Sequence, residues 1–135
     1  MDFSNINFIA VLVAGVASWV IGAFWYSPLL FSKRWQKELG FSDEYLAKAN
    51  MPVIFGSSLV LMLIMALGLA GMIQDGNSDL MSGLKTGILT GLFFSATSVG
   101  INYLYQRKSI VLWLIDALYQ IVFLGVSGAI LGIWQ

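Results

Sequence analysis

The sequence predicts an all-α fold, a four-helix transmembrane bundle with a short interfacial amphipathic helix in its first loop, and three observations predict it. Hydrophobic residues fill 59% of the 135 positions and charged ones only 10%, with mean hydropathy +0.83, whereas a soluble domain carries roughly 25% charged residues. The apolar residues gather in four runs, at about 6–26, 53–73, 84–105 and 110–134, each near the ~20 residues a helix needs to cross about 30 Å of hydrocarbon. The charges fall almost entirely in the gaps. An unpaired backbone group in lipid costs several kcal/mol, and the runs lack the alternation of a barrel strand, so each reads as a helix. No helix has a solvated face of its own, so residues 1–135 form a single integral membrane domain.

The first run follows Met1-Asp2-Phe3 without the positive region of a secretory signal and continues past Ala17 to Tyr26, so it reads as a retained helix. Ser27-Pro28 stops it, because proline lacks a donor and disfavours helical geometry in the residue before it. Leu30, Phe31, Trp35 and Leu39 then recur at helical spacing with Lys33, Arg34 and Lys37 on the other side, the pattern of a helix lying in the interface. Lys33, Arg34, Trp35 and Lys37 are its anchor to membrane lipid. Gly40 ends that piece, and Ser42 is placed to cap a short helix with Asp43 and Glu44 in its first turn and Lys48 near its end. Asn50 and Pro52 mark the start of the second span. Asp75-Gly76-Asn77 is a turn signal before the third, and only Gln106 to Ser109 separates the third from the fourth, so neighbouring helices run antiparallel.

Basic residues fix the expected orientation. Lys33, Arg34, Lys37 and Lys48 lie in the first gap and Arg107 and Lys108 in the third, while the opposite face has only Lys85 beside Asp2, Asp75 and Asp79. The positive-inside rule puts both termini outside, in a multi-pass protein of the bacterial cytoplasmic membrane.

Two constellations stand out. Gly83, Gly87, Gly91 and Ser95 follow one another at intervals of four, which leaves one face of the third span nearly bare backbone. Ala10, Ala14, Ser18 and Gly22 repeat the device in the first span, and Gly128 and Gly132 in the fourth. Such faces let helices approach closely, within the bundle or between copies in a homo-oligomer. The other constellation centres on Asp116, the one acid inside a span, about 9 Å along its helix from Ile110. A charge there costs roughly 2.5–3.5 kcal/mol on insertion scales, so Asp116 should face the bundle interior and find partners. Gln120 shares its face one turn on, and Ser127 continues it. Antiparallel packing brings Asn102, with Tyr103 and Arg107 as alternatives, and the Trp25-Tyr26 pair to the same depth. The expected polar cluster is Asn102, Asp116, Gln120, Trp25 and Tyr26, either as a coupling site or as a hydrogen-bond network that fixes packing.

The stretch Gly22-Ala23-Phe24-Trp25-Tyr26-Ser27-Pro28-Leu29-Leu30-Phe31-Ser32-Lys33-Arg34-Trp35 resembles the bacterial membrane-protein family catalogued as domain of unknown function 1761. Its members share a small-residue first helix ending in Trp-Tyr-Ser-Pro, with a Phe and a Lys-x-Trp beyond. The resemblance takes in the four-span layout and the Asn102 to Arg107 end of the third span. It implies four membrane spans and carries over no catalytic residue; Gln106 stands where many relatives have an acid.

Histidine and cysteine are both absent, which removes imidazole acid/base pairs, thiolate nucleophiles, and the usual zinc and haem ligands. With no paired-carboxylate site either, no enzyme activity, metal or cofactor is expected, and no basic run suits a nucleic acid. The functional readings left open are a small-solute or ion transporter or channel working as an oligomer, and a non-transporting membrane component with an assembly, regulatory or lipid-interacting role.

Overall fold

A computed structural model describes residues 1–74 and 78–134. Among them the elements are all helical: α1 (Phe8–Trp25), α2 (Ser32–Leu39), α3 (Asp43–Ala47), α4 (Met51–Ile73), α5 (Leu80–Thr90), a π-helical segment (Gly91–Ala96), α6 (Thr97–Tyr105) and α7 (Ile110–Ile133). The helix from α5 through the π segment to α6 is one continuous span, Leu80–Tyr105, so four helices are long and apolar enough to cross a membrane. This is the architecture of a multi-pass membrane protein. The turn signal at Asp75-Gly76-Asn77 lies outside the described residues.

Capping side chains set where the helices begin, and these positions differ slightly from the apolar runs. Asn7 accepts from the backbone N–H groups of Ile9 and Ala10, so α1 starts at Phe8 rather than at Ile6. Asn50 accepts from Val53 N–H and α4 begins at Met51, with Pro52 in the first turn, where its missing N–H has no partner to lose. Asp79 and Ser82 form a reciprocal capping box, which starts α5 at Leu80 rather than at Leu84. Ser109 caps α7 through Leu112 N–H.

The ends are equally local. At Gly40 the backbone is left-handed (φ 70°), and Phe41 N–H and Gly40 N–H close back on the carbonyls of Gln36 and Lys37. Arg107 closes α6 in the same way, with φ 55° and with Lys108 and Arg107 N–H bonded to the carbonyls of Tyr103 and Leu104. Glycine makes that conformation easy, and arginine does not.

Helix α7 is the centre of the molecule. Its Leu112, Phe123, Leu124 and Leu131 are fully buried, and it packs against α1 and α4 on one side and against α5, the π segment and α6 on the other. Helices α1 and α4 also pack on each other: Ala10 and Ala14 lie in one core cluster with Ala66 and Ala70, and Leu63 covers Gly15. Among the described residues no extended packing joins α1 to α5, the π segment or α6. The bundle is therefore open along one side, with α7 as the floor of the opening.

The glycine face of the third span meets the glycine face of the fourth, so the seam lies within the chain. A Cβ on Gly83 would collide with the Gly128 carbonyl oxygen, and one on Gly128 with that of Gly83. Gly87 faces the Leu124 carbonyl and Gly132 the Asp79 carbonyl in the same way, while a Cβ on Gly91 would lie 2.7 Å from the Ile121 Cα. The Cα–H groups of Gly83, Gly87, Gly128 and Gly132 thus point at carbonyls across the seam, the geometry of a Cα–H···O contact. Ser95 does not continue this face. The π segment inserts one residue into the helical repeat, and buried Ala96 takes the position that a regular helix would give to Ser95.

Candidate functional site

The side chain of Asp116 is 8% exposed, and each of its carboxylate oxygens is taken by a phenol from a different helix. The Tyr26 hydroxyl, at the C-cap of α1, donates to Oδ1 at 2.5 Å, and the Tyr103 hydroxyl, on α6, donates to Oδ2. This three-residue clasp is the link between α1 and the α5–α6 span across the open side of the bundle. Trp25 braces it from the next position, its indole N–H donating to the Ile115 carbonyl at 3.0 Å.

Of the expected cluster, the structure brings Tyr26 onto Asp116 and Trp25 onto the neighbouring Ile115 carbonyl, and it leaves Asn102 outside. Asn102 is exposed, and its side chain makes no hydrogen bond to Asp116. The cause is the π segment: one extra residue rotates α6 by about 100°, a helical step, and brings Tyr103 to the side that a regular helix would give to Asn102. Gln120 lies one turn beyond Asp116 on the same stripe of α7, half-buried, and is not a partner of the carboxylate. It sits about 15 Å along α7 from Ile110, close to the middle of a ~30 Å hydrocarbon layer. By helical geometry it faces the opening between α1 and the α5–α6 span.

Two residues that the sequence reading omits complete the site. Tyr119, three positions after Asp116, is buried, meets Tyr26 edge-on at 5.2 Å, lies tilted against Phe123 at 4.8 Å, and donates weakly to the Ser18 carbonyl at 3.4 Å. Gly22 makes that possible, since a Cβ there would lie 2.5 Å from the Tyr119 hydroxyl. Trp113 donates its indole N–H to the Ala96 carbonyl at 2.9 Å, satisfying a carbonyl of the π segment. Gly100 clears space for that indole. Spacing of three or four from Asp116 was the available signal for both residues.

Further along α7 from the clasp, the join between α1 and α7 is closed. Ser18 and Ser127, each 1% exposed, bond to each other at 2.6 Å. Ser18 also donates to the Ala14 carbonyl, which has Ser127 nearby at 3.3 Å. Ser127 thus continues the Asp116 stripe, as expected from its position, but belongs to this hydroxyl pair.

At the same end of the molecule α2 rests on the start of α7. Arg34 pairs with Glu38 at 2.8 Å, and the Ser109 hydroxyl and Arg34 hold the Glu38 carboxyl below the usual glutamate range. The first loop and the α6–α7 turn therefore share one face. The opposite end gathers the N-terminus and the ends of α4 and α7, through Asp2 N–H to the Gly71 carbonyl and the Asn7 amide to the Trp134 carbonyl.

The model of the family described as "Protein of unknown function (DUF1761)" matches residues 9–132. The chain belongs to this family. The match takes in the Trp25-Tyr26 end of α1, Tyr103, Asp116 and the whole glycine seam, so the clasp and the seam both lie within the family's domain. Comparison with curated proteins and with solved structures gave no match.

Proposed function

We propose that this protein is an oligomeric transporter or channel for a small solute or ion, governed by the protonation of Asp116. One observation carries the reading: a buried carboxylate whose two acceptor oxygens are held by tyrosines on two helices that have no extended packing of their own. An ionised carboxylate accepts both phenol protons. Once protonated, it becomes a donor at one oxygen, and the phenol on that side changes from donor to acceptor and turns its own hydroxyl hydrogen away. A single proton thus changes how α1 and α6 are held, and the π segment at the root of α6 supplies a place where the helix can adjust.

The opening between α1 and the α5–α6 span, with Gln120 on its floor near the bilayer centre, is the proposed pathway. One four-helix chain is too thin to enclose it, so a second copy of the chain completes the wall. The basic face formed by the first loop and the α6–α7 turn is cytoplasmic on the positive-inside rule, with both termini outside and the host bilayer a bacterial inner membrane.

The test is flux in proteoliposomes. Protons, Na⁺, K⁺, fluoride and tetramethylammonium are offered between pH 5 and 8 to the wild type and to Asp116→Asn. The expected result is a flux that depends on pH in the wild type and loses that dependence in the variant. If none of these probes moves in an Asp116-dependent way, the transport reading is lost. A non-transporting role is favoured by a different observation: among the described residues, every buried side-chain nitrogen and oxygen has a partner, as a purely structural hydrogen-bond node requires.

A further inference from the structure

The first loop encloses a feature that transport does not use. The end of α2, the turn after it, α3 and the first turn of α4 surround a cleft of about 370 Å³ lined by Trp35, Phe41, Tyr45, Lys48, Ala49 and Ile54. Its aromatic wall is preformed: Trp35 meets Phe41 edge-on at 5.9 Å, and Phe41 lies against Tyr45 at 4.6 Å. Tyr45 and Ile54 are exposed all the same, at 59% and 50%. The walls are set by local closures, the left-handed turn at Gly40 and the Ser42 cap on Tyr45 N–H. Gln36 ties the turn together by donating to the Phe41 carbonyl and to the Asp43 carboxylate.

The cleft is apolar and has one charge on its lining, Lys48. Of the acids on α3, Asp43 is engaged by Gln36, and Glu44, one helical turn before Lys48, forms no ion pair with it. Arg34–Glu38 is the one ion pair found among the described residues, so the Lys48 ammonium is not neutralised by a carboxylate. Lys33 and Lys37 lie exposed on the neighbouring helix. The cleft sits where the chain passes from the basic first loop into the second span, at the level of lipid headgroups. An apolar chain attached to a negative charge fits both halves of this arrangement, because the rings remove methylenes from water and basic residues attract an anionic headgroup.

We propose that this cleft binds one anionic phospholipid, an acyl chain against Trp35, Phe41 and Tyr45 and the phosphate on Lys48. The proposal does not rest on transport: none of Tyr26, Tyr103 and Asp116 lines the cleft, although Trp35 lies edge-on to Tyr26 at 6.0 Å.

Native mass spectrometry of the detergent-solubilised full chain, titrated with phosphatidylglycerol or phosphatidylcholine, tests it. The expected result is a single retained phosphatidylglycerol, bound at least tenfold more tightly than phosphatidylcholine. Lys48→Gln should abolish that preference and leave the weak phosphatidylcholine binding in place, while Ala49→Phe, which fills the cleft, should reduce both. Lys33→Gln with Lys37→Gln should keep the preference, which separates the cleft from general attraction to a basic helix. Circular dichroism and melting of each variant show that the fold survives, and a variant that does not fold is replaced by Ala49→Leu. Equal binding of the two lipids by the wild type would overturn the proposal. So would unchanged phosphatidylglycerol retention in a folded cleft-filling variant, or loss of the preference in the Lys33 and Lys37 variant alone.

Discussion

Helix α7 is held at two places by opposite kinds of chemistry. Against α5 the contact is backbone on backbone: the Cα atoms of Gly83 and Gly87 lie beneath the carbonyls of Gly128 and Leu124. Against α1 and α6, at the basic end, the contact is side chain on side chain, two phenols on the Asp116 carboxylate. The seam is close packing of backbone on backbone with no side-chain hydrogen bond to rearrange, so its geometry is fixed. The clasp is held by three rotatable side chains through hydrogen bonds whose donor and acceptor can exchange, so its geometry is less tightly fixed. In lipid, where burying apolar surface supplies little drive for helices to associate, a protein can fix one interface by close packing and leave the other to be set by hydrogen bonds.

The largest effect should come from the seam. Gly87→Leu forces α5 away from α7, because the new side chain would occupy the place of the Leu124 carbonyl, backbone that cannot turn aside. A loss of more than about 3 kcal/mol is expected, read as loss of the monodisperse peak and of cooperative melting in detergent. A variant that melts like the wild type would remove the distinction between the two interfaces.

The clasp should respond less, and by type of substitution. Asp116→Leu strands two phenol hydroxyls and should cost about 1–3 kcal/mol for each group left unsatisfied. Asp116→Asn keeps shape and hydrogen bonding and should stay within about 1 kcal/mol of the wild type. Melting the two side by side checks this, and equal melting of both would deny the clasp a structural part.

A smaller effect is expected where α2 rests on α7. The Glu38 carboxyl is held below its ordinary value by Ser109 and Arg34, so its contribution is fully present above the unfolded value of about 4.3 and is lost as the pH falls through the lower folded value. Hydrogen exchange of the α2 amides, corrected for intrinsic rate, should show less protection at pH 3 than at pH 6. Ser109→Ala should reduce that difference. The smallest change should be at Arg107, whose left-handed backbone (φ 55°) suits glycine; Arg107→Gly should stabilise by up to about 1 kcal/mol, seen as a slightly higher melting temperature.

The sequence by itself determined the four spans, the amphipathic α2 with its Gly40 stop, the Ser42 cap, the start of the second span at Asn50 and Pro52, the glycine faces and the burial of Asp116. Each of these follows from composition, from period or from a residue's contact with its near neighbours in the chain. Tertiary structure decided which helix is central, that the seam joins α5 to α7, and which side chains reach the carboxylate. The π segment shows why: its single extra residue changes no hydropathy and breaks no run, yet it turns α6 so that Tyr103 rather than Asn102 meets Asp116 and Ala96 rather than Ser95 is buried. A strict repeat read from the sequence carries its phase forward unbroken. The phase of a real helix is reset wherever packing favours one more residue in a turn, here where the Trp113 indole on α7 bonds the Ala96 carbonyl.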